Sequence, residues 1–303
     1  MHKVSRREFC KTATTVAAAG FLSVTERRLF ANPLGLPIGS QVYPHQKRIQ
    51  AGDFAGLLKD MRAIGIQSVE LDGPDYPYAA KTMADAKQVK KTLDDHGVIS
   101  PSAHFMMEAL RTRLPEMMDW AKEIGMTQIG TASLHGEMQN GQSTMDGVKR
   151  AADEYNKIGA VTAKHGLQLY LHDEVYEMAK VEGDGRLTYT VLMELLDPKL
   201  VKFQFQISSM RVVGDPVMYF HKYPGRFISM HLQGVDLKAP MPSSGGQGAG
   251  ARTRAPQVAV GHDSLNWPKI FEAAKVGGVK NYFVEQNWDL TVQSVAYLKT
   301  LNV

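Results

Sequence analysis

From Pro37 onward, short β-type runs alternate with helix-length amphipathic segments about every 30 residues, and no other feature constrains the fold as strongly. The runs are Pro37 to Tyr43, Ser68 to Asp72, Ile99 to Phe105, Thr127 to Ala132, Leu167 to Asp173, Val201 to Ile207, Phe227 to Gln233 and Tyr282 to Gln286. Helix candidates between them include Phe54 to Ile64, Ala84 to His96, Leu110 to Ile124 and Met145 to His165. Parallel strands need a crossover helix to bring the chain back, so eight such units predict an α/β fold, a single-domain (β/α)8 TIM barrel over residues 32–303.

Side-chain alternation within the runs predicts which face is which. In the sixth run Val201, Phe203, Phe205 and Ile207 face the helices, leaving Lys202, Gln204 and Gln206 for the interior. The fifth turns Gln168, Tyr170 and His172 inward, and the seventh Ser229 and His231. Strands of an open doubly wound sheet read as apolar on both faces, so this alternation favours the barrel and predicts a polar, ligand-lined mouth. The stretch Pro240 to Pro256, rich in Gly and Ser, has neither periodicity nor apolar anchors. It follows the seventh strand and is expected to overhang the catalytic face as a substrate lid or a solvated insertion.

The only cysteine is Cys10, which excludes both an intramolecular disulfide and a cysteine-based metal cluster. The formal charge of +4 comes entirely from residues 1–31, and the remainder carries equal numbers of basic and acidic side chains. A nucleic-acid partner is therefore not expected. Within those first residues, Ser5-Arg6-Arg7-Glu8-Phe9-Cys10-Lys11 resembles a twin-arginine export motif, followed by an alanine-rich run from Thr12 to Val24. Residues 1–31 are read as a signal peptide recognised by the twin-arginine translocase, which gives a periplasmic or otherwise exported protein. No run is long and apolar enough for a stable membrane span.

At the C-terminal ends of strands five to eight stand His172, Gln206, His231 and Glu285, all on the interior phase. Active sites of this fold occupy that face, where side chains distant in sequence converge. Imidazole, amide and carboxylate donors together suit one divalent ion, Mn, Zn, Fe or Co, better than an all-oxygen calcium site.

Gly261-His262-Asp263-Ser264-Leu265-Asn266-Trp267, Phe271-Glu272-Ala273-Ala274 and Tyr282-Phe283-Val284-Glu285-Gln286 resemble the C-terminal end of the xylose-isomerase-like sugar isomerase/epimerase family. The segment from Gly166 to Glu174, the run Phe227 to Leu232, Val69-Glu70-Leu71 and Ser102-Ala103-His104 resemble its other strands. The resemblance implies metal ligation by Glu285 and His231, and by His172 where relatives have His or Glu. Gln206 departs from the usual Asp, Gly234 replaces a frequent Asp, and His262 stands where Glu is common. It further implies a metal-dependent isomerase or epimerase acting on a sugar or related polyol ketone through an enediolate-type intermediate, with a small carbohydrate as partner.

Catalytic candidates are Glu285, His172 and Glu174, the last lying two residues beyond His172 on the same phase. Asp173 is read as a partner that orients a ligand imidazole. Candidates for holding substrate are Glu70, His104, Lys238 and Trp288, with Tyr43 a further stacking candidate. A metal-dependent lyase of 3-keto-glycosides and a noncatalytic carbohydrate-binding barrel remain alternatives.

Overall fold

The computed structural model describes residues 32–134, 138–139, 141–174, 176–209, 214–236, 238 and 257–303. Residues 1–31, expected to be a signal peptide, and the Pro240 to Pro256 stretch lie outside them. Eight strands close a barrel: β1 (Gly39–Gln41), β2 (Ser68–Asp72), β3 (Ile99–His104), β4 (Gln128–Thr131), β5 (Gln168–His172), β6 (Val201–Gln206), β7 (Phe227–Leu232) and β8 (Asn281–Val284). Each pairs in parallel with its sequence neighbour, and β1 closes on β8 with Gly39 opposite Phe283. Helices α1 (Phe54–Ile64), α2 (Ala86–Asp95), α3 (Leu114–Ile124), α4 (Met145–Lys164), α5 (Thr188–Leu195), α6 (Pro216–Lys222), α7 (Trp267–Gly277) and α8 (Trp288–Leu298) follow the strands in turn. This is the predicted (β/α)8 barrel.

The helices form where sequence spacing lets one stripe be buried. In α1 that stripe is Phe54, Leu57, Leu58 and Met61, packed on the outer face of the barrel. Gly65 ends this helix at φ 101°, a left-handed turn that a Cβ would strain. Side-chain caps start several others: Asp85 for α2, Thr144 for α4, Asp215 for α6, Asn266 for α7 and Asn287 for α8. The cap at Asn287 starts α8 two residues after Glu285. No helix among the described residues is long and apolar enough to cross a membrane.

The barrel interior is layered. At its floor Asn281 Nδ2 donates to Gln128 Oε1 across the barrel. Above it lie Glu70, Ser102, Tyr170, Gln204 and Ser229, and Gly130 makes room for them. A Cβ at Gly130 would sit 2.4 Å from Tyr170 O and 2.7 Å from the Tyr170 ring. The top layer is polar and opens at the C-terminal ends of the strands. Over it, Gly234–Val235 pairs antiparallel with Gln257–Val258, and Met138–Gln139, Gln142–Ser143 and Lys180–Val181 form a small sheet.

Candidate metal centre

The deepest ionisable group is Glu70, fully buried on β2. Ser102 Oγ (2.9 Å), Tyr170 OH (2.8 Å) and Gln204 Nε2 (2.7 Å) donate to its Oε1, and His231 Nε2 lies 2.5 Å from Oε2. Burial works to raise the Glu70 pKa. The imidazoles of His104 and His231, with hydrogen bonds from His231 and Gln204, outweigh it and hold the carboxyl well below its usual range.

An ionised carboxylate only accepts hydrogen bonds, so the Gln204 amide must turn its nitrogen to Glu70. Its oxygen then faces His104 Nε2 at 2.8 Å and His172 Nδ1 at 2.9 Å, and both nitrogens must carry protons. In the neutral rings the second nitrogens, His104 Nδ1 and His172 Nε2, are then the ones with a bare lone pair. Glu70 likewise fixes a proton on His231 Nε2, leaving Nδ1 as the nitrogen on the Glu285 side. Two side chains below the mouth thus fix a proton on one named nitrogen of each of three rings above them.

On this base His172, Gln206, His231 and Glu285 converge from neighbouring strands. Gln206 Nε2 lies 2.7 Å from Glu285 Oε2 and 3.5 Å from His172 Nε2, and His231 Nδ1 is 3.3 Å from the same Glu285 oxygen. Gln206 Oε1 and His231 Nδ1 are buried without a hydrogen-bond partner. Rotation of the terminal amide of Gln206 would exchange its oxygen and nitrogen, turning an acceptor toward His172 and Glu285. Two imidazole nitrogens, a carboxylate and an orphaned amide oxygen make a donor set that fits a borderline divalent ion. One nitrogen each of His104, His172 and His231 also lie within 4.8 Å of one another, which makes His104 a further candidate ligand that sequence reasoning assigned to substrate instead.

The charges agree with that fit. Burial, then the charges of His231 and His104, hold the His172 pKa well below its usual value, so the ring is neutral as a ligand must be. Burial of His231 opposes its protonation, but Glu70 and Glu285 on either side raise its pKa to about 10. Burial likewise opposes ionisation of Glu285, while His231, His172 and Gln206 bring it down to about 2. A cation held by this set would take over the charge that the His231 Nδ1 proton supplies.

A cavity of about 410 Å³ opens beside the centre, with Gln41, Asp72, His104, His172, Glu174 and Glu285 on its polar side. Glu174 Oε1 stands 3.8 Å from His172 Nε2. Other sequence-predicted residues lie elsewhere. Glu70 does not reach the mouth, because its oxygens are engaged beneath it. Asp173 touches no imidazole; its Oδ1 accepts from the Gln206 backbone N–H at 2.8 Å, and burial raises its pKa to about 8. Lys238 is exposed outside the cavity, its backbone N–H bonded to Asp236. Trp288 packs against the core and meets His45 edge-on at 5.9 Å. Tyr43 does line the cavity, and His262 is exposed away from it. Gly234 has a structural reason to lack a carboxylate, since a Cβ there would sit 2.4 Å from Val258 O.

Sequence reasoning missed Asp72, which accepts from Gln41 Nε2 at 3.0 Å and from Tyr78 OH, and whose carboxyl burial raises to a pKa of about 6. The signal was present, because Asp72 follows Glu70 by two and shares its phase. It also missed Gln204, and Gln233, which donates to Glu285 Oε2. Glu177 had no sequence signal: it is fully buried and accepts from Ser133 Oγ, Leu134 N and Glu174 N, tying the loops after β4 and β5 together.

No protein-family model matches the chain. A 130-residue stretch is 27% identical to a protein of Pyrococcus horikoshii named DNA polymerase sliding clamp, covering 42% of this chain and 51% of that one. The chain thus spans about half the length of that curated relative, and the name stays with that protein. Solved structures match over most of the chain. A sugar phosphate isomerase/epimerase from Parabacteroides distasonis is 22% identical, with TM-score 0.64, covering 86% of this chain and 93% of its own. An L-ribulose 3-epimerase is 13% identical (TM-score 0.57, 87% and 91%), and the IOLI protein with a binding zinc atom 9% (TM-score 0.60, 87% and 96%). At these identities the shared property is the barrel itself.

Proposed function

We propose that this chain is an exported, divalent-metal-dependent enzyme that isomerises or epimerises a sugar or related polyol ketone through an enediolate-type intermediate. The observation that carries the reading is the convergence of His172, Gln206, His231 and Glu285 at one end of a cavity large enough for a small ligand. Barrel neighbours named as sugar isomerases and epimerases, one with bound zinc, support it.

His172, His231, Glu285 and the Gln206 amide oxygen would hold the ion. When bound, it supplies electrostatic stabilisation to negative charge developing on substrate oxygens. Glu174, on the cavity wall, takes the proton from the carbon beside the carbonyl; isomerisation returns it to the neighbouring carbon, whereas epimerisation needs Glu285 to deliver a proton to the opposite face of the same carbon. His104 Nδ1 faces the substrate hydroxyls, while Gln204 Oε1 holds the ring by its Nε2 at 2.8 Å. Glu177 holds the Glu174 backbone, limiting how far the base can swing.

The apolar residues that line the cavity favour a second reading, a lyase of 3-keto-glycosides. There the same proton removal precedes loss of a substituent β to the ketone.

Purified protein is expected to retain a divalent ion and to catalyse exchange of the carbon-bound hydrogen beside the carbonyl of a free ketose in deuterium oxide, followed by NMR. Glu285→Gln should lose both properties while keeping a cooperative thermal transition. Full exchange by that variant, or exchange indifferent to metal removal, sinks the proposal.

A further inference from the structure

The cavity lining is of two kinds. Besides the ionisable groups it includes Tyr43, Tyr76, Met106 and Met107. Tyr43 and Met106 are 40% and 43% exposed, although they are large and apolar and take no part in the buried core. They are nevertheless held in place. The Met106 N–H donates to Asp75 Oδ2 at 2.6 Å, and Tyr78 meets both Tyr43 and Tyr76 edge-on with centroids 6.0 Å apart. Braced apolar surface of this kind gains stability when a ligand removes it from water.

Charge narrows the choice of ligand. Asp72, Glu108, Glu174 and Glu285 line the cavity, and its one basic side chain among the described residues, Arg111, is spent. The Arg111 guanidinium makes a two-point pair with Glu154, Nε to Oε1 and Nη2 to Oε2, each 2.8 Å. A smaller cavity of about 140 Å³ beyond Tyr43 and Glu285 is lined by Pro44, Gln233, Gln257, Gln286 and Asn287, again with no cation. Away from the ion that the proposed centre would hold, a phosphate group, with its roughly two negative charges, would meet carboxylates and no free basic side chain among the described residues.

We infer that the cavity selects an uncharged sugar bearing an apolar substituent and rejects a phosphorylated sugar. This rests on the proposed function only in seating the sugar ring at the ionisable groups. The substituent lies along Met106, Met107, Tyr43 and Tyr76, and the ring hydroxyls meet Asp72, His104 and Glu174.

Calorimetric titration of the metal-loaded protein with phenyl β-D-glucopyranoside, methyl β-D-glucopyranoside and glucose 6-phosphate, at one ionic strength, tests this. The phenyl glycoside is expected to bind about tenfold more tightly than the methyl glycoside, with the phosphate weakest. Met106→Ser should shrink the phenyl-to-methyl ratio to within about twofold, whereas Met106→Leu should keep it. Tight binding of the phosphate, a ratio unchanged in Met106→Ser, or binding of none of the three overturns the inference. Retained metal and proton exchange alongside a vanished ratio would sink this inference alone. Loss of metal dependence with the ratio intact would sink only the enzymatic reading.

Discussion

Gln206 carries an amide beside Glu285, where a second carboxylate would add charge to the ion's surroundings. Its nitrogen donates to the Glu285 carboxylate at 2.7 Å. Gln206→Asp replaces that attraction with repulsion between two anions, and a bound cation turns the repulsion back into attraction. The variant is therefore expected to hold divalent metal about tenfold more tightly, or about 1.4 kcal/mol, with a less stable metal-free form. Competition against a chelator of known affinity measures the first effect and calorimetry with chelator present the second. Unchanged or weaker metal affinity would show that Gln206 does not face the ion. Gln204 and Glu70 act on the same centre from below, by fixing a proton on one nitrogen of each imidazole. Only the three-dimensional network reveals that role, because neither residue contacts the cavity.

At the level of strands, the barrel interior depends on pairing small with large side chains. Gly130 on β4 leaves its space to Tyr170 on β5, whose hydroxyl anchors Glu70 at 2.8 Å. Gly130→Ala would drive a methyl group into a ring and a carbonyl that have no free volume behind them, an overpacking cost of about 1–3 kcal/mol. A fall of several degrees in Tm by differential scanning calorimetry is expected, with weakened metal retention as the Tyr170 to Glu70 support shifts. A Tm within about a degree of the parent would mean that the layer is looser than its contacts imply. Strand phase explains what was legible in the sequence. With a period of two, Gln204, Gln206, His172 and His231 could be assigned to the interior from the apolar residues between them. Phase gives direction but not depth, so Glu70 was expected at the mouth although it lies a layer below, while Asp72, two residues on, occupies the rim. Loop contacts have no period at all, which hid Glu177 and gave Lys238 and Trp288 a part in the cavity that their positions do not bear out.

Across the whole molecule, the formal excess of +4 is confined to residues 1–31, and the barrel sequence behind them is balanced. Two functions would thereby be separable: the export address proposed for residues 1–31 and the site proposed for the rest. The barrel needs no oxidising compartment, because the single Cys10 rules out an internal disulfide, and its proposed ion-binding set is assembled only when strands far apart in sequence have closed into a ring. A chain of this kind gains from folding and taking up its ion before it crosses a membrane, as twin-arginine transport allows. Replacing both Arg6 and Arg7 with Lys keeps the charge of the leader but removes the paired guanidinium groups that a receptor reads. The double variant is expected to accumulate in the cytoplasm as folded protein with the parent's metal content, while the parent appears in the exported fraction. Fractionation followed by elemental analysis of both pools measures this. Normal export of the variant would refute the assignment of residues 1–31, and a metal-free but exported parent would place ion uptake after translocation.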